Sequence, residues 1–233
     1  MNIGIFGYGK MGKMIEKIAL QRNHIIVSKV DLETKEVDYS AMDIAIDFSS
    51  PETAYKNIES CLNHNVPIVS GTTGWLKDYE KAISLCKQKN GAFIYASNFS
   101  LGVNLFFEMN RYLARMMTNL PQYEVSIEET HHLEKLDAPS GTAITLAEDI
   151  IKDSSYEGWE LEKSSERNIP ITSKRIADEY GTHIVAYENE VDQISIKHKA
   201  FSREGFALGA VVAAEWLVRK NGVFTMKDVL KLG

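Results

Sequence analysis

The first 31 residues of this 233-residue chain constrain its fold more than any other stretch. The short apolar run at 2–6 leads into glycines 7, 9 and 12, which have the spacing G-x-G-x-x-G. Apolar residues at helical spacing follow over 10–21, and a second β-rich run covers 24–30. A strand, a glycine turn, a helix and a second strand in this order predict a parallel β-α-β unit.

The alternation of strands and helices continues to about residue 96. Further strands are predicted at 43–48, 67–70 and 92–96, with helices at 51–63 and 76–89. Ser50 and Pro51 form a favourable helix start, because a hydroxyl can cap the first turn and proline fits its first position. Alternation of this kind predicts a parallel sheet covered by helices on both faces.

The pattern changes near residue 100, where we place a domain boundary. The predicted elements beyond it are a long helix at 103–119, a half-buried strand at 122–130, a helix at 141–152, irregular chain at 153–165, paired strands at 183–187 and 193–198, an apolar helix at 206–218 and a short helix at 225–230. The helix at 206–218 is too apolar to stand alone, so we expect it to pack back on the first domain.

The glycine loop is predicted to bind a dinucleotide. Gly7 permits a tight turn, Gly9 lets the backbone approach a pyrophosphate, and Gly12 allows close packing of helix on strand. The helix start supplies free N–H groups to the phosphates. Asp31 ends the second strand, where a carboxylate accepts hydrogen bonds from the adenosine ribose. The alternative is a tight turn without a ligand, with Asp31 as a turn cap.

Two later strand ends carry small polar residues suited to the same ligand. The fourth strand ends in residues 70–74 and the fifth in residues 96–100. Ligands of open α/β sheets bind outside the carboxyl ends of the strands, so these turns can approach a nicotinamide ribose or carboxamide. Each turn taken alone could equally be an ordinary polar loop.

The segment ETHHLEKLDAPSGTA, residues 129–143, carries the richest chemistry. Histidine titrates near neutrality and can deliver a proton during a reduction. Lys135 adds a cation, and the helix start with Ser140 and Thr142 forms an anion site. A proton donor, a cation and an anion site within one short segment suit a small electrophile that carries carboxylates.

Alternatives exist for each part of this segment. His131 and His132 are adjacent, so on an extended chain they point to opposite faces, and no second ligand pair accompanies them. We therefore expect no metal. Two exposed histidines at a strand end and a solvated Lys135 are the non-functional alternative.

Charge and hydropathy exclude other classes of partner. The chain has 26 Lys and Arg against 32 Asp and Glu, a net charge of −6 that does not favour binding to nucleic acid. The longest apolar run, 206–214, is far shorter than a membrane-spanning helix, and from the first residues we expect no leader segment. With Cys61 and Cys86 expected as buried thiols, we predict a cytoplasmic protein with no nucleic-acid or membrane partner.

Several segments together resemble the dihydrodipicolinate reductase family. They are the glycine loop, GTTG (71–74), NFSLGVN (98–104), HHLEKLDAPSGTA (131–143), KHKAFSREGFALGA (197–210) and KDVL (227–230). The resemblance covers essentially the whole chain, and the histidine–lysine segment is its most specific part. The family's glycine loop is usually one residue longer, and it commonly has arginine where this chain has Lys10.

The resemblance implies an α/β chain with two domains. One is an N-terminal Rossmann dinucleotide-binding domain, residues 1–100 with 207–233. The other, residues 101–206, is a C-terminal α+β domain for substrate binding and oligomerisation, whose open mixed sheet builds a homotetramer. The implied reaction is the NAD(P)H-dependent reduction of 4-hydroxy-tetrahydrodipicolinate (dihydrodipicolinate), a small dicarboxylate, to tetrahydrodipicolinate in the diaminopimelate route of lysine biosynthesis.

The resemblance also implies roles for individual residues. His131 is the expected acid–base catalyst and Lys135 a proton donor and substrate anchor. The expected substrate contacts are His132, Lys135, Ser140, Gly141 and Thr142. The expected cofactor contacts are Gly7, Tyr8, Gly9, Lys10, Met11, Gly12, Asp31, Gly71, Thr72, Thr73, Ala96, Ser97, Asn98 and Phe99, with Phe99 near the nicotinamide.

Asp31 makes NADH the expected preferred cofactor, with NADPH still usable. A 2′-phosphate would meet a like charge there, which favours NADH by a factor on the order of ten. Lys29, Lys35 and Lys10 are expected to soften that repulsion. Two other functions stay open at this point: another two-domain Rossmann dehydrogenase acting on an amino or keto acid, and a nucleotide-sensing module without turnover.

Overall fold

A computed structural model of the chain describes residues 1–31, 33–34, 36–162 and 167–232. The chain divides into two compact units. The first comprises Met1–Leu101 together with Arg203–Gly233, and the second is Gly102–Ser202. The returning segment of the first unit therefore begins at Arg203, slightly earlier than the predicted position 207.

The described residues form eleven strands, seven α-helices and two short 3₁₀ turns. The strands are β1 (Asn2–Phe6), β2 (Ile25–Val30), β3 (Ile44–Asp47), β4 (Ile68–Ser70), β5 (Ala92–Tyr95), β6 (Glu124–His131), β7 (Gly158–Leu161), β8 (Asn168–Arg175), β9 (Thr182–Glu188), β10 (Gln193–Lys199) and β11 (Gly222–Phe224). The helices are α1 (Lys10–Gln21), α2 (Pro51–Asn63), α3 (Tyr79–Gln88), α4 (Leu101–Met117), α5 (Gly141–Ile151), α6 (Glu204–Leu217) and α7 (Met226–Leu230).

The first unit is built on a six-stranded parallel sheet in the order β11-β5-β4-β3-β1-β2. Strands β3 and β4 are buried at every position, as expected for strands covered on both faces. The strand order reverses at β1, which has β2 on one side and β3 on the other. A sheet of this kind binds ligands at the carboxyl ends of the strands beside such a reversal. The predicted parallel, dinucleotide-binding architecture is confirmed.

Helix α6 lies in the core of the first unit. Its buried residues include Ala210, Val211, Ala214 and Leu217, and they share one apolar cluster with α1 and the central strands. An alanine-rich helix suits this place because small side chains let neighbouring backbones approach closely. The apolar character of the segment therefore reflects burial among elements that lie far away in sequence.

The second unit holds a five-stranded mixed sheet in the order β10-β9-β6-β8-β7. The central strand β6 runs parallel to β8 and antiparallel to β9. Val125 and Ile127 of β6 are buried against α4 and α5, whereas Glu124 and Ser126 are exposed. One face of the sheet is therefore covered by helices, and the predicted α+β architecture with a mixed sheet is confirmed.

Three strands have no counterpart among the predicted elements. The sequence predicts irregular chain over 153–165, and this is wrong at Gly158–Leu161, which forms β7. The sequence also predicts no strand in the segments that form β8 and β11. Strands β7 and β11 are short and begin with glycine, while β8 contains Pro170, which lacks an N–H donor. Pairing with neighbours distant in sequence stabilises these segments, and no local pattern reveals it. The predicted helix at 76–89 also begins with a 3₁₀ turn, Leu76–Asp78, before α3.

Both cysteines are buried free thiols, as the sequence predicts. Burial raises the pKa of Cys61 and of Cys86, which keeps both thiols protonated and unreactive. In the described ranges, no helix is both long and apolar enough to span a membrane.

Candidate active site

The glycine loop joins β1 to α1 at the reversal point of the first sheet. Gly7 has a φ of +88°, and a Cβ there would lie 2.2 Å from the Phe48 carbonyl oxygen, so only glycine fits. A Cβ at Gly12 would lie 2.4 Å from the Gly7 carbonyl oxygen, so α1 packs closely on the loop. A Cβ at Gly9 would meet no atom within 4 Å. No described side chain caps α1 through a hydrogen bond, so its first N–H groups are available to phosphates.

A buried carboxylate organises the turns beside the glycine loop. Asp47, at the end of β3, accepts hydrogen bonds of 2.6 to 2.9 Å from the side chains of Ser49, Asn57, Ser70 and Thr72. Burial raises the pKa of Asp47, although these hydrogen bonds oppose the effect. Thr72 also accepts a hydrogen bond from the Ser49 N–H through its hydroxyl at 2.8 Å. The Thr72 hydroxyl is therefore engaged within the protein, both as a donor and as an acceptor.

A cavity of about 290 Å³ lies at the same edge of the sheet in the first unit. Its lining residues are Met11, Phe48, Ser97, Asn98, Phe99, Arg203 and Phe206. Met11, Ser97, Asn98 and Phe99 are predicted cofactor contacts, whereas the other three were not predicted. Aromatic walls and one amide suit a flat ring that carries a carboxamide, such as a nicotinamide. The residues present therefore fit a nicotinamide dinucleotide.

Asp31 lies beyond β2 in an exposed turn. Its Oδ1 accepts hydrogen bonds from the Glu33 N–H at 3.0 Å and the Thr34 hydroxyl at 2.9 Å. Lys29, two residues earlier, is engaged elsewhere: its Nζ lies 2.7 Å from Glu16 Oε1. Lys35, the other lysine expected to soften repulsion of a 2′-phosphate, lies outside the described residues.

A buried acid–histidine pair marks the second unit. The buried face of β6 carries Val125 and Ile127 and continues through Glu129 to His131. Glu129 Oε2 lies 2.5 Å from His131 Nδ1. Glu129 Oε1 accepts a 2.7 Å hydrogen bond from Ser173 and a 3.2 Å bond from the Arg175 guanidinium. Burial alone raises the pKa of Glu129, but His131 and Ser173 outweigh it and hold the pKa well below its ordinary value. Glu129 is therefore ionised at neutral pH beside His131.

His183 links this pair to the start of α5. It lies opposite Glu129 in the antiparallel register of β6 and β9, and its ring centroid is 5.1 Å from that of His131. A 3.0 Å hydrogen bond joins His183 Nε2 to Ser140 Oγ, and Ser140 caps α5 by accepting from the Ala143 N–H at 3.2 Å. Burial, with a smaller effect from His131, lowers the pKa of His183 to about 3. His183 is therefore neutral at pH 7 and acts as a spacer between His131 and the helix start.

Arg175 fixes the loop that carries Lys135. Its guanidinium donates to the carbonyl oxygen of Asp137 at 2.7 Å and to that of Lys135 at 3.3 Å, in addition to its bond with Glu129. Lys135 Nζ donates to both carboxylate oxygens of Asp137, at 2.7 and 2.8 Å. Lys135 also holds the pKa of Asp137 below its ordinary value. The lysine is therefore in the arrangement that binds a carboxylate.

The structure brings together most of the residues predicted for the second unit. Glu129 and Arg175 connect His131 to the loop that carries Lys135. His183 lies between His131 and Ser140. A Cβ at Gly141 would meet no atom within 4 Å, so the start of α5 is open, and Thr142 is half-buried in its first turn. His132 is half-buried next to His131. The sequence prediction missed Glu129, Ser173, Arg175 and His183; the alternation of β6, which places Glu129 on the face of His131, could have revealed the first of these.

Glu129, His131 and His183 also form a possible metal-ligand set, with one ligand atom of each within 4.8 Å of the others. Arg175, however, already compensates the Glu129 charge through Oε1. A second cation would meet that guanidinium as a like charge. The arrangement therefore favours proton handling by a hydrogen-bonded cluster.

Comparison with known families covers both units. Residues 1–99 match the family model described as dihydrodipicolinate reductase, N-terminus, and residues 102–230 match dihydrodipicolinate reductase, C-terminus. The chain belongs to the dihydrodipicolinate reductase family. The resemblance carried by the glycine loop and the histidine–lysine segment is thereby confirmed, and the chain is a member of an oxidoreductase family.

Relatives support this dihydrodipicolinate reductase assignment along the whole chain. The 4-hydroxy-tetrahydrodipicolinate reductase of Christiangramia forsetii is 57% identical over 233 residues, which cover 99% of this chain and 98% of that protein. The enzyme of the same name from Buchnera aphidicola subsp. Schizaphis graminum is 34% identical over 230 residues, covering 93% and 81%. Dipicolinate-bound dihydrodipicolinate reductase from Paenisporosarcina sp. TG-14 has the same fold, with a TM-score of 0.80 at 22% identity over 97% of each chain.

Proposed function

We propose that this chain reduces 4-hydroxy-tetrahydrodipicolinate to tetrahydrodipicolinate with NADH or NADPH, as a step of lysine biosynthesis through diaminopimelate. The observation that carries the proposal is the joined cluster of Glu129, His131 and the Lys135 loop beside the open start of α5. Relatives at 57% and 34% identity bear the name of this reductase, which supports the choice of substrate.

A dicarboxylate suits the cluster because the second unit offers two anion-binding features. Lys135 already holds a carboxylate, that of Asp137, and can exchange it for one from the substrate. The start of α5 provides free N–H groups next to Gly141 and the Thr142 hydroxyl. The Paenisporosarcina relative was solved with dipicolinate, an aromatic dicarboxylate of the same ring skeleton, which supports this assignment.

His131 is the proposed proton donor. Loss of the 4-hydroxyl as water gives dihydrodipicolinate with its conjugated C=C–C=N system. A bound nicotinamide cofactor would supply the hydride that adds to this system, and one proton completes the reduction. Glu129 holds His131 through Nδ1, which leaves Nε2 as the nitrogen that exchanges a proton with the substrate or with a water that it holds. Lys135 and the start of α5 stabilise negative charge that develops on the ring during the reaction.

An assay of the purified protein tests this function. Pyruvate and aspartate semialdehyde, with a condensing enzyme, generate the substrate in place. We expect NADH and NADPH to be consumed only when both precursors are present, and dipicolinate to inhibit competitively. Omission of either precursor serves as the control. A folded protein that oxidises neither cofactor would overturn the proposal, and turnover of an amino or keto acid instead would indicate a different dehydrogenase.

We also propose that the second unit assembles the protein into a homotetramer. Helices α4 and α5 cover one face of its sheet. The other face carries a row of small side chains, Ser126, Ala186 and Ser195, on the adjacent strands β6, β9 and β10. Small side chains in a row let a second sheet approach closely, so this face is suited to packing against another copy of the chain.

The substitution Ala186→Arg should weaken this assembly. A long cationic side chain in the middle of the row prevents the close approach of a second sheet. In light scattering at micromolar concentration we expect the wild type to have the mass of a tetramer and the variant to have a lower mass. Val191→Arg adds the same charge at an 88% exposed position in the β9–β10 turn and should leave the tetramer intact. A monomeric wild type, or an Ala186→Arg variant of unchanged mass, would contradict the proposal.

The substitution Glu129→Gln should alter proton transfer without changing the shape of the site. The carboxylate lies 2.5 Å from His131 Nδ1 and orients the ring, so its loss should reduce kcat roughly 10- to 100-fold and change KM much less. Glu128→Gln is the matched control, since Glu128 pairs with exposed Lys174 instead. Equal kcat values for the two variants would remove Glu129 from its positioning role.

A further inference from the structure

Three side chains from different elements form a charged cluster beside the glycine loop. Lys29 Nζ of β2 lies 2.7 Å from Glu16 Oε1 of α1. The Tyr8 hydroxyl donates a hydrogen bond to the other carboxylate oxygen of Glu16. Lys29 Nζ also lies 4.7 Å from the centroid of the Tyr8 ring. The lysine is therefore held by an anion and by an aromatic face together.

The cluster lies where the 2′ position of an adenosine ribose is read. In folds of this type the residue that ends the second strand contacts the ribose, and here that residue is Asp31. Lys29 precedes Asp31 by two residues at the end of β2, and Tyr8 belongs to the glycine loop itself. The sequence contains no arginine between Arg22 and Arg111. Lys29 is therefore a cation placed to meet a 2′-phosphate.

The pairing with Glu16 changes what Lys29 can offer. Hydrogen bonds from Lys29 and from Tyr8 keep the pKa of Glu16 below its ordinary value, so Glu16 is ionised at neutral pH. Glu16 and Asp31 together contribute two negative charges against the single positive charge of Lys29. A phosphate that carries about two negative charges would meet the like charges of Glu16 and Asp31 and would have to compete with Glu16 for the lysine.

We propose that Glu16 is a specificity-determining residue that disfavours NADPH by holding Lys29 in an ion pair beside Tyr8. The preference for NADH is then set by two carboxylates that act differently. Asp31 binds the ribose hydroxyls of NADH, whereas Glu16 pairs with Lys29, the cation that would otherwise bind the 2′-phosphate of NADPH. This inference deepens the proposed function, because it rests on the binding of a nicotinamide dinucleotide to the first unit.

The test is the substitution Glu16→Gln, which keeps the shape of the side chain and removes its charge. We expect kcat/KM for NADPH to rise roughly five- to ten-fold, and kcat/KM for NADH to change much less, at one fixed ionic strength. The gain should shrink as salt is added, because Lys29 is partly exposed. Asp31→Ala provides the contrast: it should narrow the same preference mainly by weakening NADH.

The double variant Glu16→Gln/Lys29→Met tests the route of the effect. If Glu16 acts through Lys29, the gain for NADPH disappears in the double variant, while Lys29→Met alone changes neither cofactor strongly. A gain that persists without Lys29 would overturn the proposal. So would an unchanged NADPH to NADH ratio in Glu16→Gln, or a wild-type enzyme that prefers NADPH.

Direct titration separates this proposal from the proposed reaction. The dissociation constants of NADH and NADPH, measured by nucleotide fluorescence without any substrate, should show the same shift in ratio. A protein that lacks the reductase activity but shows this shift would overturn the proposed reaction and leave the role of Glu16 intact. Dissociation constants that do not shift would overturn the role of Glu16 whatever the activity.

Discussion

The substitution His131→Ala is expected to lower kcat by roughly 10²- to 10⁴-fold, the contribution usual for a positioned general acid. The affinity for nicotinamide dinucleotide should stay near that of the wild type, because the proposed cofactor residues belong to the first unit and His131 to the second. Steady-state kinetics gives the first quantity, and fluorescence titration with NADH gives the second. A loss of kcat with unchanged cofactor binding indicates an interaction made only in the transition state.

Two further variants make this result specific. His64→Ala removes an exposed histidine that stacks on Tyr39 in the first unit and should leave kcat unchanged. His132→Ala should chiefly raise KM, as expected of a substrate contact. If His131→Ala has a normal kcat and His132→Ala does not, the proton-donor role passes to His132.

The substitution Lys135→Ala should have the second largest effect. A hydrogen bond between charged groups contributes about 1.5–3 kcal/mol, which corresponds to a rise in KM of roughly 10- to 100-fold. The inhibition constant of dipicolinate should rise in parallel, because the inhibitor carries the same carboxylates. We also expect kcat to fall, since the proposed roles of Lys135 are to stabilise charge on the reacting ring and to act as a further proton source.

Lys152→Ala is the matched control for this prediction. Lys152 also pairs with an aspartate, Asp149, at 3.0 Å, but it lies just beyond the opposite end of α5. Its removal should leave KM and the dipicolinate inhibition constant unchanged. If Lys135→Ala behaves in the same way, Lys135 does not anchor the substrate.

The fold of the first unit could be predicted because its signals are local. Each strand from β1 to β5 is an apolar run next to a helical pattern, and residues 7–12 require a tight turn at the first crossover. Strand β11 lacks such a signal: it is a three-residue segment that pairs with β5 over a long sequence separation. Its position depends on pairing with the rest of the sheet, and no short stretch of sequence contains both partners of that pairing.

The site was predictable only where its residues share one segment. His131, Lys135 and Ser140 lie close in sequence, so their chemistry could be recognised together. Ser173 and Arg175 reach the site because β8 pairs with β6 in the register that sets Ser173 beside Glu129 and Arg175 beside His131. The sequence predicts no strand at the position of β8, so its register with β6 could not be predicted.

The same limit applies to cofactor choice. The sequence places Lys29 near Asp31 and predicts that it softens repulsion of a 2′-phosphate. The structure instead pairs Lys29 with Glu16, because α1 packs against β2 and brings the two side chains together. A 2′-phosphate would therefore have to compete with Glu16 for Lys29.

The first unit is made of two separate chain segments, and this affects the order in which the two units can fold during synthesis on the ribosome. Residues 102–202 form a complete unit as soon as they have left the exit tunnel, whereas the parallel sheet lacks β11 and the buried helix α6 until the last thirty or so residues are made. Until then the apolar face that α6 covers stays open. The second unit is thus available to fold before the first, although synthesis of the first unit starts earlier.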